Sequence, residues 1–329
     1  MPNILTKITR SVLFGFVIIS IGFTGHHQNK VLSGAEKKII IDTCISTFRT
    51  YYIYPDILSE IEKKVISKYR DNGYDQISDL KQLTCQLRKD FRSVSNDRHI
   101  WIDILENLPV KDANVSEQEK TDELEKINFG FNGFEILSGN TGYLKLDAFS
   151  DYKYGSTVAS DIMNKLSECN AIIIDLRENH GGNENMVRFI ASYFFSNKVQ
   201  LNSLYFRYND TLVKEWTDPD VAGNKLIQQK LLILTSENTA SAAESFTYLM
   251  KHYNRAIIVG QKTRGAAHWN ETFIIRDLDI FMEIPVARPV NPVTSTDWEG
   301  TGIIPDIPVP ADQALGHALR LIRDKNPVN

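Results

Sequence analysis

The chain has 329 residues, of which 42% are hydrophobic and 24% charged, the proportions of a globular protein and not of a disordered or fibrous one. With 37 basic against 41 acidic residues the net charge is -4, which gives no general field for drawing in a nucleic-acid backbone. Cys44, Cys85 and Cys169 are too few and too widely spaced for a disulfide framework or a paired Cys-x-x-Cys zinc site, and no His-Glu-x-x-His metal motif occurs.

Lys7 and Arg10 precede residues 11–25, a charge-free run containing Val12, Phe14, Val17, Ile18 and Ile19, the pattern of an export or anchor segment. Fifteen residues at about 1.5 Å each span roughly 22 Å, short for a bilayer core unless residues 4–8 contribute. The exit sequence Phe-Thr-Gly-His-His-Gln offers no small-x-small cleavage pattern, and no cysteine follows closely enough for lipid attachment. The segment, within residues 1–30, therefore reads as an uncleaved anchor, with a signal peptide as the alternative. Basic residues before it place everything after His26 outside the membrane.

Residues 31–108 read as a small helical cap. Ser33 and Glu36 make a capping box ahead of Ile40, Cys44, Phe48 and Tyr51; a second helix starts at Pro55; Leu80, Leu83, Leu87 and Phe91 repeat the helical spacing after Ser78. Residues 109–127 are crowded with Lys, Asp and Glu and lack aromatic side chains, as an exposed connector does. From 128 to 329 the chain alternates. Strand-like runs fall at 129–137, 143–149, 171–176, 231–235, 256–259 and 273–284, helical patterns at 158–166, 186–195 and 242–253, and an amphipathic helix at 311–322 closes the chain. This is an α/β pattern, with the runs 172–174 and 231–234 apolar on both faces like central strands covered by helices.

Three loops concentrate unusual residues: Asp97-Arg98-His99, the stretch 175–182 ending in Gly181-Gly182, and the stretch 235–244. In the third, a strand runs through a polar turn into a helix beginning near Ala242, so Ser241 stands at a helix amino terminus. There it can be an N-cap, or a nucleophile whose oxyanion meets unpaired N–H groups and the positive end of the helix. Gly181-Gly182 allow the backbone to approach a ligand and turn its N–H groups inward. A serine between two such donor sets makes the parts of an acyl-transfer site, and a serine at its free pKa needs a base. His99, His180 and His268 remain candidates; His26 and His27 flank the apolar segment, and His252 and His317 lie in amphipathic helices.

Asp-Leu-Arg-x-Asn-x-Gly-Gly at 175–182, Thr-x-Ser-Ala-x-Glu at 239–244, Val-Gly-x-x-Thr-x-Gly at 259–265 and Glu-Gly-x-Gly-x-x-Pro-Asp at 299–306 resemble, in order and spacing, the tail-specific or carboxy-terminal processing peptidases, serine proteases of family S41. The resemblance covers residues 35–315 and implies a crotonase/ClpP-like spiral β core flanked by helices, with no cofactor. Many members use a Ser/Lys dyad, but the lysine's position looks like Ala266 here, with Lys262 earlier in the turn. The branch similar to the tricorn core uses Ser, His and an orienting Glu, and Asp97 to His99 and Glu299 fall where that branch has them.

Only about thirty residues separate Pro109 from Gly142, where a PDZ domain would need some eighty. A short, PDZ-less member resembles the nisin-resistance branch, anchored outside the membrane of Gram-positive bacteria and cutting the carboxy-terminal tail from a cationic lantibiotic. The chain departs from that branch in carrying Ser245. The resemblance implies Ser241 as nucleophile, His99 as base, Glu299 as a possible orienting group, and the N–H groups of Gly181, Gly182 and Ala242 as the oxyanion hole. It also implies Asn179, Asn185, Met186 and Glu271 as peptide contacts, with Asp175 and Arg177 pairing structurally. Two other readings are a general processing protease of exported proteins and a ligand-binding member without catalysis.

Overall fold

The computed structural model describes residues 16–18, 31–109 and 116–324. In chain order the elements are β1 (Phe16–Ile18), α1 (Gly34–Tyr51), α2 (Pro55–Arg70), α3 (Leu80–Ser95), β2 (Trp101–Ile104), α4 (Glu117–Lys126), β3 (Phe131–Leu137) and β4 (Thr141–Leu146). There follow α5 (Tyr152–Leu166), β5 (Ala171–Asp175), α6 (Glu184–Ser192), β6 (Ser203–Phe206), β7 (Thr211–Val213), β8 (Lys230–Thr235), α7 (Ala242–His252), β9 (Ala256–Gly260), β10 (Trp269–Ile275), β11 (Ile280–Val290), β12 (Ile307–Pro308) and α8 (Ala314–Arg323). Apart from β1, whose three residues pair in parallel with Thr272–Ile274, the expected anchor segment lies outside the described residues. Among the described residues, no helix is long and apolar enough to cross a membrane.

The chain divides into two compact units: Met1–Pro109 with Asn270–Val286, and Val110–Trp269 with Ala287–Asn329. The first is not the purely helical cap expected from its sequence, because the segment from Asn270 returns to it and adds strands. Its helices form for the reasons legible in the sequence. Ser33 and Glu36 close a reciprocal box, the Glu36 N–H donating to Ser33 Oγ at 3.2 Å and the Ser33 N–H to Glu36 Oε2 at 2.8 Å. Pro55 opens α2, and Asn96, at φ 53°, ends α3 in the left-handed conformation. Cys44, Phe48, Leu83, Leu87 and Phe91 are fully buried, and the Phe48 and Phe91 rings meet edge-on at 4.8 Å. In the same unit β2 pairs antiparallel with the start of β11, Ile102 opposite Met282.

The second unit is an α/β layer structure. Its six-stranded sheet has the order β12-β9-β8-β5-β4-β3, parallel from β12 to β4 with β3 antiparallel at the edge. Alternation along the two central strands explains why they are apolar throughout. Ile172, Ile174, Leu231 and Ile233 face the core that includes Met163, Met186 and Phe246 of α5, α6 and α7, whereas Ile173, Leu232 and Leu234 pack with Ala314 and Ala318 of α8. The expected single strand at 273–284 is two strands, β10 and β11, because Asp279 takes φ 52° and reverses the chain. The sequence reading also lacked β2, β6 and β7, which have three or four residues each, too few to establish a period of two.

Candidate active site

The carboxyl ends of β5, β8 and β9 lie together by their parallel register, Asp175 opposite Leu234 and Thr235 opposite Gly260. Such ends are where open α/β sheets carry their ligands. The loops leaving β5 and β8 are locked to one another. Thr239 Oγ1 donates to the Leu176 carbonyl at 2.8 Å, the Ala240 N–H to the Asn179 carbonyl at 3.0 Å, and the Ser236 hydroxyl to the Arg177 carbonyl. Arg177 grips the buried Asp175 carboxylate through Nε at 2.9 Å and Nη2 at 2.6 Å, the structural pairing expected of these residues.

Ser241 joins this loop to α7 at φ 54° and ψ -121°, a conformation in which a non-glycine residue stores roughly 1–3 kcal/mol of strain. The residue is exposed. Its backbone N–H donates to Glu244 Oε2 at 3.0 Å. Glu244 is fully buried and also accepts from Thr263 Oγ1 at 2.5 Å, Gly265 N at 2.7 Å and Ala266 N at 2.9 Å. Burial raises its pKa, and these hydrogen bonds oppose the rise. One carboxylate thus clamps the serine elbow to the loop after β9. Sequence reasoning missed Glu244, although its spacing from Ser241 is that of a capping box.

Gly181 is pressed against the elbow: a Cβ on it would come within 2.7 Å of Ser241 Cβ and 3.1 Å of the Ala242 nitrogen. Gly182 has φ 137°, and a Cβ there would come within 2.1 Å of the Phe149 carbonyl oxygen, so no side chain fits. The three expected oxyanion donors are not equivalent. The Gly181 N–H is spent on Asn179 Oδ1 at 2.8 Å, which corrects its assignment as a donor. The N–H groups of Gly182 and Ala242 make none of the described hydrogen bonds. Ala242 is also the first residue of α7, where the helix favours negative charge.

Asn179 and Met186, expected as peptide contacts, are fully buried. The Asn179 amide donates to the Leu146 carbonyl at 2.9 Å and so fixes the glycine loop from beneath, and Met186 fills the core against α5. Asn185 is exposed on α6. Glu299 holds backbone of its own unit: its Oε2 accepts from Ala267 N at 2.7 Å and His268 N at 3.1 Å and lies 3.7 Å from Nδ1 of the buried His268. His180 is exposed, with Nδ1 3.1 Å from the Asn238 carbonyl oxygen. Ala266 gives the Glu244 clamp a backbone N–H, and Lys262 is exposed with its Cε beside the Gly302 turn.

His99 belongs to the first unit. Its backbone N–H donates to Asp97 Oδ1 at 2.9 Å, and its Nδ1 lies 3.1 Å from the same oxygen. Asp97 is buried and also receives the Tyr52 hydroxyl on Oδ2 at 3.2 Å. Arg92 braces the turn by donating to the carbonyls of Arg98 at 2.6 Å and Ile100 at 2.8 Å, and Asn270 Nδ2 donates to the His99 carbonyl at 2.9 Å. A carboxylate on Nδ1 fixes the tautomer that leaves Nε2 basic. Within its own unit, the group beside the His99 ring is Asp97. Glu271, also in the first unit, is half-buried; its carboxylate makes none of the described hydrogen bonds, and burial raises its pKa.

Residues 140–309 match the model of peptidase family S41, and residues 34–128 match the N-terminal domain of peptidase S41 in eukaryotic IRBP. Among curated proteins the chain is similar to the chloroplastic carboxyl-terminal-processing peptidase 2 of Arabidopsis thaliana, 27% identical over 175 residues that cover 53% of this chain and 32% of that one. The chain spans about a third of the length of the curated relatives it matches. Among solved structures, the photosystem II D1 C-terminal processing protease aligns with a TM-score of 0.57 at 13% identity, covering 85% of this chain and 94% of that one. A lipoprotein from Streptococcus agalactiae aligns with a TM-score of 0.54 at 17% identity, covering 91% and 100%. At these identities the likeness is one of fold.

Proposed function

The chain belongs to peptidase family S41, and from that premise we propose that it is a serine peptidase with Ser241 as nucleophile and His99 as base. His99 Nε2 takes the Ser241 proton as the hydroxyl attacks a peptide carbonyl, and returns it to the leaving amine. Asp97 stabilises the imidazolium in between. The N–H groups of Gly182 and Ala242 receive the oxyanion, a contribution of about 3 kcal/mol per donor in comparable hydrolases. The observation that carries this reading is the elbow itself, an exposed serine at φ 54° beside two backbone N–H groups that make none of the described hydrogen bonds.

The finer reading is that the substrate is the carboxy-terminal tail of a cationic lantibiotic such as nisin, cut at the outer surface of a Gram-positive cell membrane. Its support is the charge-free run behind Lys7 and Arg10, the Thr-Ala-Ser motif and the half-buried carboxylate of Glu271, which makes none of the described hydrogen bonds. The second reading, a processing protease for unstructured protein tails, is favoured by the curated relatives, which are carboxyl-terminal-processing peptidases.

Mass spectrometry of nisin and of an unfolded protein tail, each incubated with the full chain, separates the two. Ser241→Ala and His99→Ala should each lower cleavage by about a thousandfold or more. Tail cleavage with nisin left whole replaces the lantibiotic reading with the second. Cleavage that survives both substitutions removes these residues from catalysis.

A further inference from the structure

Outside the groups assigned above, the second unit holds a polar chain that ends on one carboxylate. The fully buried Asn291 donates through Nδ2 to Asn202 Oδ1 at 2.8 Å. Asn202 Nδ2 in turn donates to Ser245 Oγ at 3.2 Å and to the Ser245 carbonyl at 3.1 Å. With its oxygen receiving from Asn202, the buried Ser245 hydroxyl directs its own proton to Glu184 Oε2, 3.2 Å away. Both Asn202 amide protons go to Ser245 and the one Ser245 hydroxyl proton to Glu184, so the chain runs toward the carboxylate and one of its oxygens is pinned.

The other oxygen of Glu184, Oε1, makes none of the described hydrogen bonds, and the residue is exposed. Protein nonetheless crowds the carboxyl group on most sides, and the resulting loss of water, with Glu215 nearby, pushes its pKa up to about 7. The neighbouring cation Arg188 is engaged with Glu215 at 3.6 Å. Glu184 is thus an anchored carboxyl group with no ion pair among the described residues, and an arriving cation would favour its charged form.

Its position relative to the nucleophile follows from two short paths. Glu184 opens α6 two residues after Gly182, whose turn is held by the Asn183 N–H on the Phe149 carbonyl at 2.7 Å. Ser245 lies one helical turn beyond Ser241 on α7, a rise of about 6 Å. The carboxylate is therefore within the reach of an extended lysine or arginine side chain from a peptide bond at Ser241.

We propose that Glu184 is a specificity-determining residue of this site, receiving a cationic side chain located within one residue of the scissile bond. This rests on the peptidase reading and narrows its substrate class to peptides with lysine or arginine at that place. The Asn291–Asn202–Ser245 chain holds the carboxylate ready, so that an incoming ammonium or guanidinium meets an oxygen that needs no reorientation.

The test uses the full chain and a set of otherwise identical peptides with Arg, Lys, Leu or Glu at each residue flanking the cut, their cleavage followed by mass spectrometry. Wild type should cut the Arg and Lys peptides with kcat/KM about tenfold or more above Leu. Glu184→Gln should bring that ratio to within about twofold, and Glu184→Lys should turn the preference toward Glu. Ser241-dependent cleavage without a basic preference, already in wild type, overturns the assignment whatever the variants do; so does a preference that survives Glu184→Gln. If no peptide is cut and a fluorophosphonate gives wild type no adduct that Ser241→Ala lacks, the peptidase reading itself fails and this inference falls with it.

Discussion

Ser241 in the second unit is held through its backbone, and His99 in the first is held through its side chain. The serine owes its place to a positive φ, to a neighbouring glycine that admits no Cβ, and to a buried Glu244 that binds the Ser241 N–H together with the N–H groups of Gly265 and Ala266. The histidine owes its place to Asp97, which binds its N–H and faces its ring with the same oxygen. A backbone-built element fails when geometry is altered, even by a methyl group. A side-chain-built element keeps its fold when altered and loses its proton chemistry.

The sharpest test of that contrast is Asp97→Asn. The chain should fold, since the amide is close to isosteric, while kcat falls about a thousandfold or more because the imidazole takes the wrong tautomer. A rate within tenfold of wild type would show that Asp97 is not the orienting group. Gly182→Ala should act in the opposite way. With its new Cβ 2.1 Å from the Phe149 carbonyl oxygen and φ 137°, it should lower stability by about 3 kcal/mol or more in urea denaturation, and lose activity as a result of the displaced loop.

Glu244→Gln should fall between these. It leaves one acceptor oxygen for donors that now meet two, so about 2–3 kcal/mol of stability is expected to be lost together with activity. An unchanged unfolding midpoint would remove Glu244 from the elbow's support.

The smallest effect concerns pH. Glu184, raised from 4.5 to about 7, binds its proton more tightly when folded than when unfolded. Its contribution to stability is therefore complete below the unfolded value and is lost as pH rises through the folded one. Urea midpoints compared between about pH 5 and about pH 8 should fall less in Glu184→Gln than in wild type. Identical falls would show that the carboxyl group titrates normally.

The Ser33–Glu36 box, the Pro55 helix start, the apolar runs at 172–174 and 231–234 and the serine at the head of α7 were all legible in the sequence. Each depends on residues close together in the chain, where spacing and conformation are tied by the covalent backbone. Ser241 and the glycine pair were legible as candidates as well, because they stand in ordered motifs. Tertiary structure alone decided which neighbours of those motifs face solvent and which face the core. Asn179 turned inward to hold Leu146 and Gly181, Met186 entered the core, and Gly181 gave up its N–H to Asn179. It also set Glu299 against the backbone N–H groups of Ala267 and His268 and brought the segment from Asn270 back to the first unit. A loop residue's direction follows from the partners that satisfy its polar atoms, and those partners come from distant parts of the chain that no local pattern names.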